Sequence, residues 1–110
     1  MRKYLIFILF ISEIICAQNL FKYPDSLYNT GNYFDAITEY KRVLFFNRED
    51  SIKYYGYTKI AECYKQGAKY DNSIEYFGHA IISAKTDNQL FNSKIELFRV
   101  NLLRKTYDRA

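Results

Sequence analysis

YTKIAECYKQGAKYDNSIEYFGHA, residues 57–80, holds two helical patterns separated by one glycine-containing break. In the first, Tyr57, Ile60, Ala61 and Tyr64 recur at three- and four-residue steps, which gathers them on one helical face. Ile74, Phe77, Ala80 and Ile81 do the same in the second, while Asp71, Glu75 and His79 fall on other faces. The segment from Gln66 to Lys69 has room only for a tight turn, so the two helices are expected to pack antiparallel. Small residues stand where large ones would hold the helices apart, at Ala61, Ser73 and Ala80.

This arrangement resembles the tetratricopeptide repeat, a 34-residue helix–turn–helix unit with a W-x2-L-G-x2-Y…A-x3-F pattern. Tyr57 stands in the tryptophan position, Ile60 and Ala61 in the Leu-Gly positions, and Tyr64 in the tyrosine position. Ser73, Phe77 and Ala80 take the small, aromatic and small positions of the second helix. Gly67 departs from the pattern by coming one residue before the usual glycine. The unit recurs upstream, where Gly31-Asn32-Tyr33-Phe34-Asp35-Ala36-Ile37 resembles the turn and second-helix start, followed by Tyr40 and Val43. Downstream, Lys105 to Ala110 reads as the same turn again. Tyr33, Tyr70 and Tyr107 are 37 residues apart, as are Ala36, Ser73 and Ala110. Residues beyond the family's 34 fall in the links near Asn47–Ser51 and Ala84–Asn88.

The resemblance implies an all-α fold, an antiparallel helix-hairpin solenoid over residues 18–110. Repeat one is expected at about 19–47, repeat two at about 51–86, and a partial repeat three at about 88–110. In repeat one, Pro24 lacks a backbone donor and suits only a first turn. A short helix starting near Pro24 is therefore expected, with Asn19 to Tyr23 loosely ordered. Phe34 to Phe46 follows as the second helix. Gly56 and Gly78 lie inside helices, where glycine costs around 1 kcal/mol relative to alanine, and both read as sites of close packing. In Leu90–Arg104, Phe91, Ile95, Phe98 and Leu102 make an apolar stripe, offset by one residue from the turn expected at Tyr107.

Met1 to Ala17 is a different kind of sequence. Arg2 and Lys3 precede the apolar run Tyr4–Ile11, and Ala17 offers a small residue for cleavage, which is the layout of a secretory signal peptide. Tyr4 to Ala17 spans 14 residues interrupted by Ser12 and Glu13, against roughly 20 needed to cross a bilayer. Cys16 opens a rival route, a lipoprotein signal with that cysteine acylated, although Ile15 is larger than the residue that normally precedes it. An uncleaved anchor is the third. The leader carries Arg2, Lys3 and Glu13, so its removal lowers the formal charge from +4 to +3. Cys63 would then be the one cysteine, and an intramolecular disulfide impossible.

Charge and composition narrow the function classes. Lys and Arg alternate with Asp and Glu without a long basic run, which argues against nucleic-acid binding. The single histidine, His79, lies away from the apolar stripe and has no nucleophile placed to pair with it. No His, Cys or carboxylate spacing suits a metal, and the four scattered glycines make no phosphate loop. No catalytic residue, cofactor or metal is expected. Asp25, Asp35 and Arg48-Glu49-Asp50 read as solvated charges. What remains is surface. The resemblance implies a concave groove lined by first helices, with Tyr55, Thr58, Glu62, Lys65 and Gln66 as the partner-facing candidates. The family's basic clamp for carboxylates is not reproduced by Lys59, Lys65 and Asn29. The expected function is a non-enzymatic adaptor or scaffold of the bacterial envelope, periplasmic or otherwise extracytoplasmic, holding a protein or peptide partner. Membrane contact would come only through the leader or Cys16. The alternative is an accessory segment of a larger envelope enzyme or transport assembly whose active part lies beyond Ala110. Self-association through Leu90–Leu103 is expected if the stripe stays uncovered.

Overall fold

A computed structural model describes residues 20–109. The expected leader, its cleavage bond and Cys16 lie outside the described residues, as does Asn19. Among the described residues five helices follow one another: α1 (Lys22–Asn29), α2 (Tyr33–Phe46), α3 (Asp50–Gln66), α4 (Tyr70–Ser83) and α5 (Asp87–Arg109). Among the described residues there is no strand, and no helix is long and apolar enough to cross a membrane. The protein is all-α. Each helix packs chiefly on its neighbours in the chain, α1 on α2, α2 on α3, and so on to α5.

Two turns make the hairpins, and they are built alike. After α1, the Asn32 N–H reaches the Leu27 carbonyl at 2.9 Å and the Gly31 N–H reaches Tyr28 at 3.1 Å. After α3, Lys69 reaches Tyr64 at 2.8 Å and Ala68 reaches Lys65 at 3.1 Å. This is the Schellman closure of a helix end, and it needs a left-handed residue just past the cap. Gly31 supplies it at φ +82°, and Ala68 at φ +58°. The donors and acceptors of the two turns are related one for one by the same 37-residue step that separates Tyr33 from Tyr70. Gly67 has ordinary φ, so it is not the left-handed residue. A Cβ there would lie 3.2 Å from the Phe34 ring, and glycine makes room for that ring instead.

The core follows the period too. Ala36 and Ser73 are fully buried, and so are Tyr40 and Phe77 four residues later in each second helix. One cluster joins Phe21, Ile37, Tyr40, Ile52, Ile60 and Cys63 across α1–α3; a second joins Ala61, Phe77 and Val100 across α3–α5. The Ser73 hydroxyl donates to the Ala61 carbonyl at 2.8 Å, which ties α4 to α3. Asp71, Glu75 and His79 are exposed.

Four expectations need correction. Residues Leu20 to Tyr23 are not loose: Phe21 is buried in the first cluster and Leu20 packs against it. α1 starts at Lys22, with Pro24 in its first turn, where the missing N–H leaves no bond unmade, and the first backbone bond runs from Asp25 to Phe21 at 2.8 Å. Gly56 does mark a close approach, since a Cβ would meet Leu44 Cδ2 at 2.6 Å, but Gly78 does not, since nothing lies within 4 Å. Lys105 and the residues after it, expected to turn, continue α5 through Arg109. Arg104 and Lys105 occupy the places of Gly67 and Ala68, and both favour helix.

The fourth correction concerns the α5 stripe. Phe91 and Phe98 are 63% and 65% exposed and Leu102 is 49% exposed, while Ser93 and Val100 are buried and Leu97 packs on the second cluster. Ser93, Leu97 and Val100 lie 37 residues after Gly56, Ile60 and Cys63, the face that α3 turns toward α2. α5 turns the corresponding face toward α4. Phe98 corresponds instead to Ala61, which α4 covers; among the described residues no later helix covers Phe98.

Candidate groove of the first helices

α1, α3 and α5 stand side by side, and their facing side chains make the candidate site. Between α1 and α3 the contact is closed. The Phe21 and Tyr55 ring centroids are 4.6 Å apart, and the Tyr55 hydroxyl donates to Asp25 Oδ2 at 2.7 Å. The Tyr40 hydroxyl, from α2, donates to the other Asp25 oxygen. One carboxylate thus ties three helices. It is a half-buried structural group rather than the solvated charge expected, and it is a residue that composition alone could not single out. Burial first, and the carboxylate second, push the hydroxyls of both tyrosines well above the usual phenol range. Nearby, the Lys59 ammonium sits 4.4 Å over the Tyr28 ring, and burial with the Glu62 carboxylate beside it pushes the Tyr28 hydroxyl up to about 12.

Between α3 and α5 the contact is open. A half-open cleft of about 250 Å³ lies there, with Phe77 of α4 as a wall. Tyr54, Thr58 and Glu62 line it from α3, and Asn92, Ser93 and Glu96 from α5. Lys65 reaches across one end to Glu96 at 3.3 Å, and Arg99 holds the other Glu96 oxygen at 2.7 Å. Tyr54 ties α3 to α5 by donating to the Gln89 carbonyl at 3.3 Å. The hydroxyl oxygens of Thr58 and Ser93 are buried without a hydrogen-bond partner. Buried polar groups nearly always find partners, so two orphans in one cleft are unusual.

The five partner-facing candidates therefore separate. Thr58 and Glu62 line the cleft and Lys65 bridges its end. Tyr55 is drawn to the α1 side by Asp25, and Gln66 is exposed at the end of α3. Asn92, Ser93 and Glu96 were missed by the sequence argument. Their signal lies in the register, since Asn92 follows Tyr55, and Ser93 follows Gly56, by 37 residues. Among the described residues no group of three or more His, Cys, Asp or Glu is placed to hold a metal. No family model matches the chain, and no curated protein or solved structure matches it.

Proposed function

We propose that the chain is a tetratricopeptide-repeat-like adaptor that acts outside the cytoplasm, without catalysis, and holds a segment of another protein along α1, α3 and α5. The observation that carries this reading is the pair of identical turns one 37-residue step apart. Identical turns give successive hairpins the same internal geometry, so their first helices fall on one side and leave a continuous surface. Repeat proteins of this kind bind along such extended surfaces. The polar, partly open α3–α5 cleft supports the same side as the binding face, because packing alone gains nothing from a gap lined by unpartnered hydroxyls.

Photo-crosslinking with the full chain in its host tests this reading. A crosslinking residue at Glu62 or Gln66 should capture a partner from envelope fractions, while the same residue at Arg42 or Ile82, exposed on the second helices, should not. Equal capture from all four sites, or capture from the second helices alone, would move the binding face. Mass spectrometry of the mature amino terminus tests the compartment: the expected first residue is Gln18, and an acylated Cys16 would place the chain on a membrane instead.

A further inference from the structure

Ser93, Leu97 and Val100 turn α5 toward the rest of the molecule. On the opposite side of that helix lie Phe91, Ile95, Phe98, Leu102, Lys105 and Arg109, all exposed except the half-buried Ile95. Their spacing alternates between four and three residues without a break. That alternation is the seam of a helix that pairs with another helix along its length.

The row changes character along its length, and the change decides what covers it. Its first four members are apolar and its last two cationic. Two copies of α5 laid parallel would set Lys105 against Lys105 and Arg109 against Arg109, and would bring Lys94 to Arg99 on the flanks. Laid antiparallel, with Phe98 beside Leu102 of the other copy, Lys105 falls beside Ile95 and Arg109 beside Phe91. Each long stem then covers an apolar residue while its charge stays in water, and the Arg109 guanidinium meets an aromatic ring. The same register brings Lys94 of one copy to Asp108 of the other, at the flanking positions where opposite charges set orientation. Both are exposed, and among the described residues neither is ion-paired within its own chain. Asp108 shares a hollow with Lys69 and Arg104, but Asp71 holds Arg104 at 3.1 Å.

The area is sufficient. Phe91 and Phe98 are 63% and 65% exposed, and a phenylalanine has about 150–250 Å² to bury. With Leu102, Ile95 and the two stems, pairing withdraws on the order of 1,000 Å² from water, the lower edge of specific interfaces. We infer that α5 pairs antiparallel with α5 of a second copy, about a two-fold axis between Phe98 and Leu102, as a reversible dimer. The pairing is independent of the adaptor reading. Where both hold, the first helices of the two copies meet at the axis and the binding surface is doubled.

Sedimentation equilibrium of the chain, purified as its host processes it, tests the pairing through two charge variants. Lys94→Glu and Asp108→Lys each set like charges across the interface twice, so each alone should weaken the dimer about tenfold. Mixed in equal amounts, the two variants should pair with each other as tightly as the unaltered chain does, because both flanks then carry opposite charges. Each variant should melt like the unaltered chain, since both positions are exposed and outside the core clusters. A parallel pair would respond with the opposite sign, because Lys94→Glu would then face Arg99. Tighter association of Lys94→Glu, a mixture no tighter than either variant alone, or an unaltered chain that stays monomeric at high concentration would each overturn the inference. The last result would assign the row to a different occupant.

Discussion

Ala68 is the residue at which turn geometry and side chain disagree. Its φ of +58° is the left-handed conformation, which costs a residue with a Cβ roughly 1–2 kcal/mol. Gly31 does the same work one step earlier without that cost. Ala68→Gly should therefore raise stability by about 1 kcal/mol, and Gly31→Ala should lower it by a similar amount, as read by thermal melts. The helical glycines should split in the opposite sense. Gly78→Ala has open space and should gain about 1 kcal/mol. Gly56→Ala drives a Cβ against Cγ as well as both methyl carbons of Leu44, so repacking should cost about 1–3 kcal/mol. Cys63 is fully buried, and burial, with Glu62 next, pushes its thiol up to about 12. The native chain should resist thiol reagents at mildly alkaline pH and react only on unfolding. Because the folded state holds the neutral thiol, that stabilisation is complete below the unfolded value of about 8.5. It is lost as the pH rises from there toward 12. Cys63→Val, which does not titrate, should show a shallower fall in denaturation midpoint across that window.

At the scale of elements, Asp25 and Phe77 hold helices together by different means. Asp25 joins α1 to α2 and α3 through two tyrosine hydroxyls. Asp25→Ala would leave the hydroxyl of the buried Tyr40 without its acceptor, while the exposed Tyr55 can turn to water, at a cost of about 1–3 kcal/mol. Combined with Tyr40→Phe, the losses should fall short of additive, since each change removes part of one network. Additive losses in denaturant unfolding would show that the hydroxyls find other partners. Phe77 contributes by burial alone, wedged between Ala61 of α3 and Val100 of α5. Phe77→Ala should cost about 3–5 kcal/mol. His79→Ala on the same helix should cost far less, because that ring is exposed and meets only Tyr57, Tyr76 and the exposed Glu75 carboxylate at its rim. Matching melts of the two variants would contradict this assignment of the faces of α4.

For the molecule as a whole, the exposed row on α5 governs behaviour in solution. Phe91, Phe98 and Leu102 project from one side of a 23-residue helix, and an apolar patch of several hundred Å² is rarely left bare on a monomer. The purified 18–110 segment should self-associate with rising concentration in analytical ultracentrifugation. Phe91→Asp with Phe98→Asp should restore the monomer at an unchanged melting temperature, because neither ring contributes to either core cluster. Association that survives both changes would assign it to another face, such as the exposed Phe45 and Phe46 at the end of α2.

Helix positions, the hairpin at Gln66–Lys69 and the 37-residue step were legible in the sequence because they rest on local facts. Apolar spacing, turn length and small residues at contact points act over a few positions, and Ala61, Ser73, Phe77 and Ala80 are buried as their spacing implies. The tertiary structure decided which face of α5 is covered. Its most hydrophobic stripe is the obvious inward candidate, yet contact with α4 selects Ser93, Leu97 and Val100, the face set by how α3 meets α2. It also decided that Asp25 ties three helices. That depends on whether tyrosines from two other helices reach one carboxylate, which is a matter of distances across the fold and leaves no trace in local pattern.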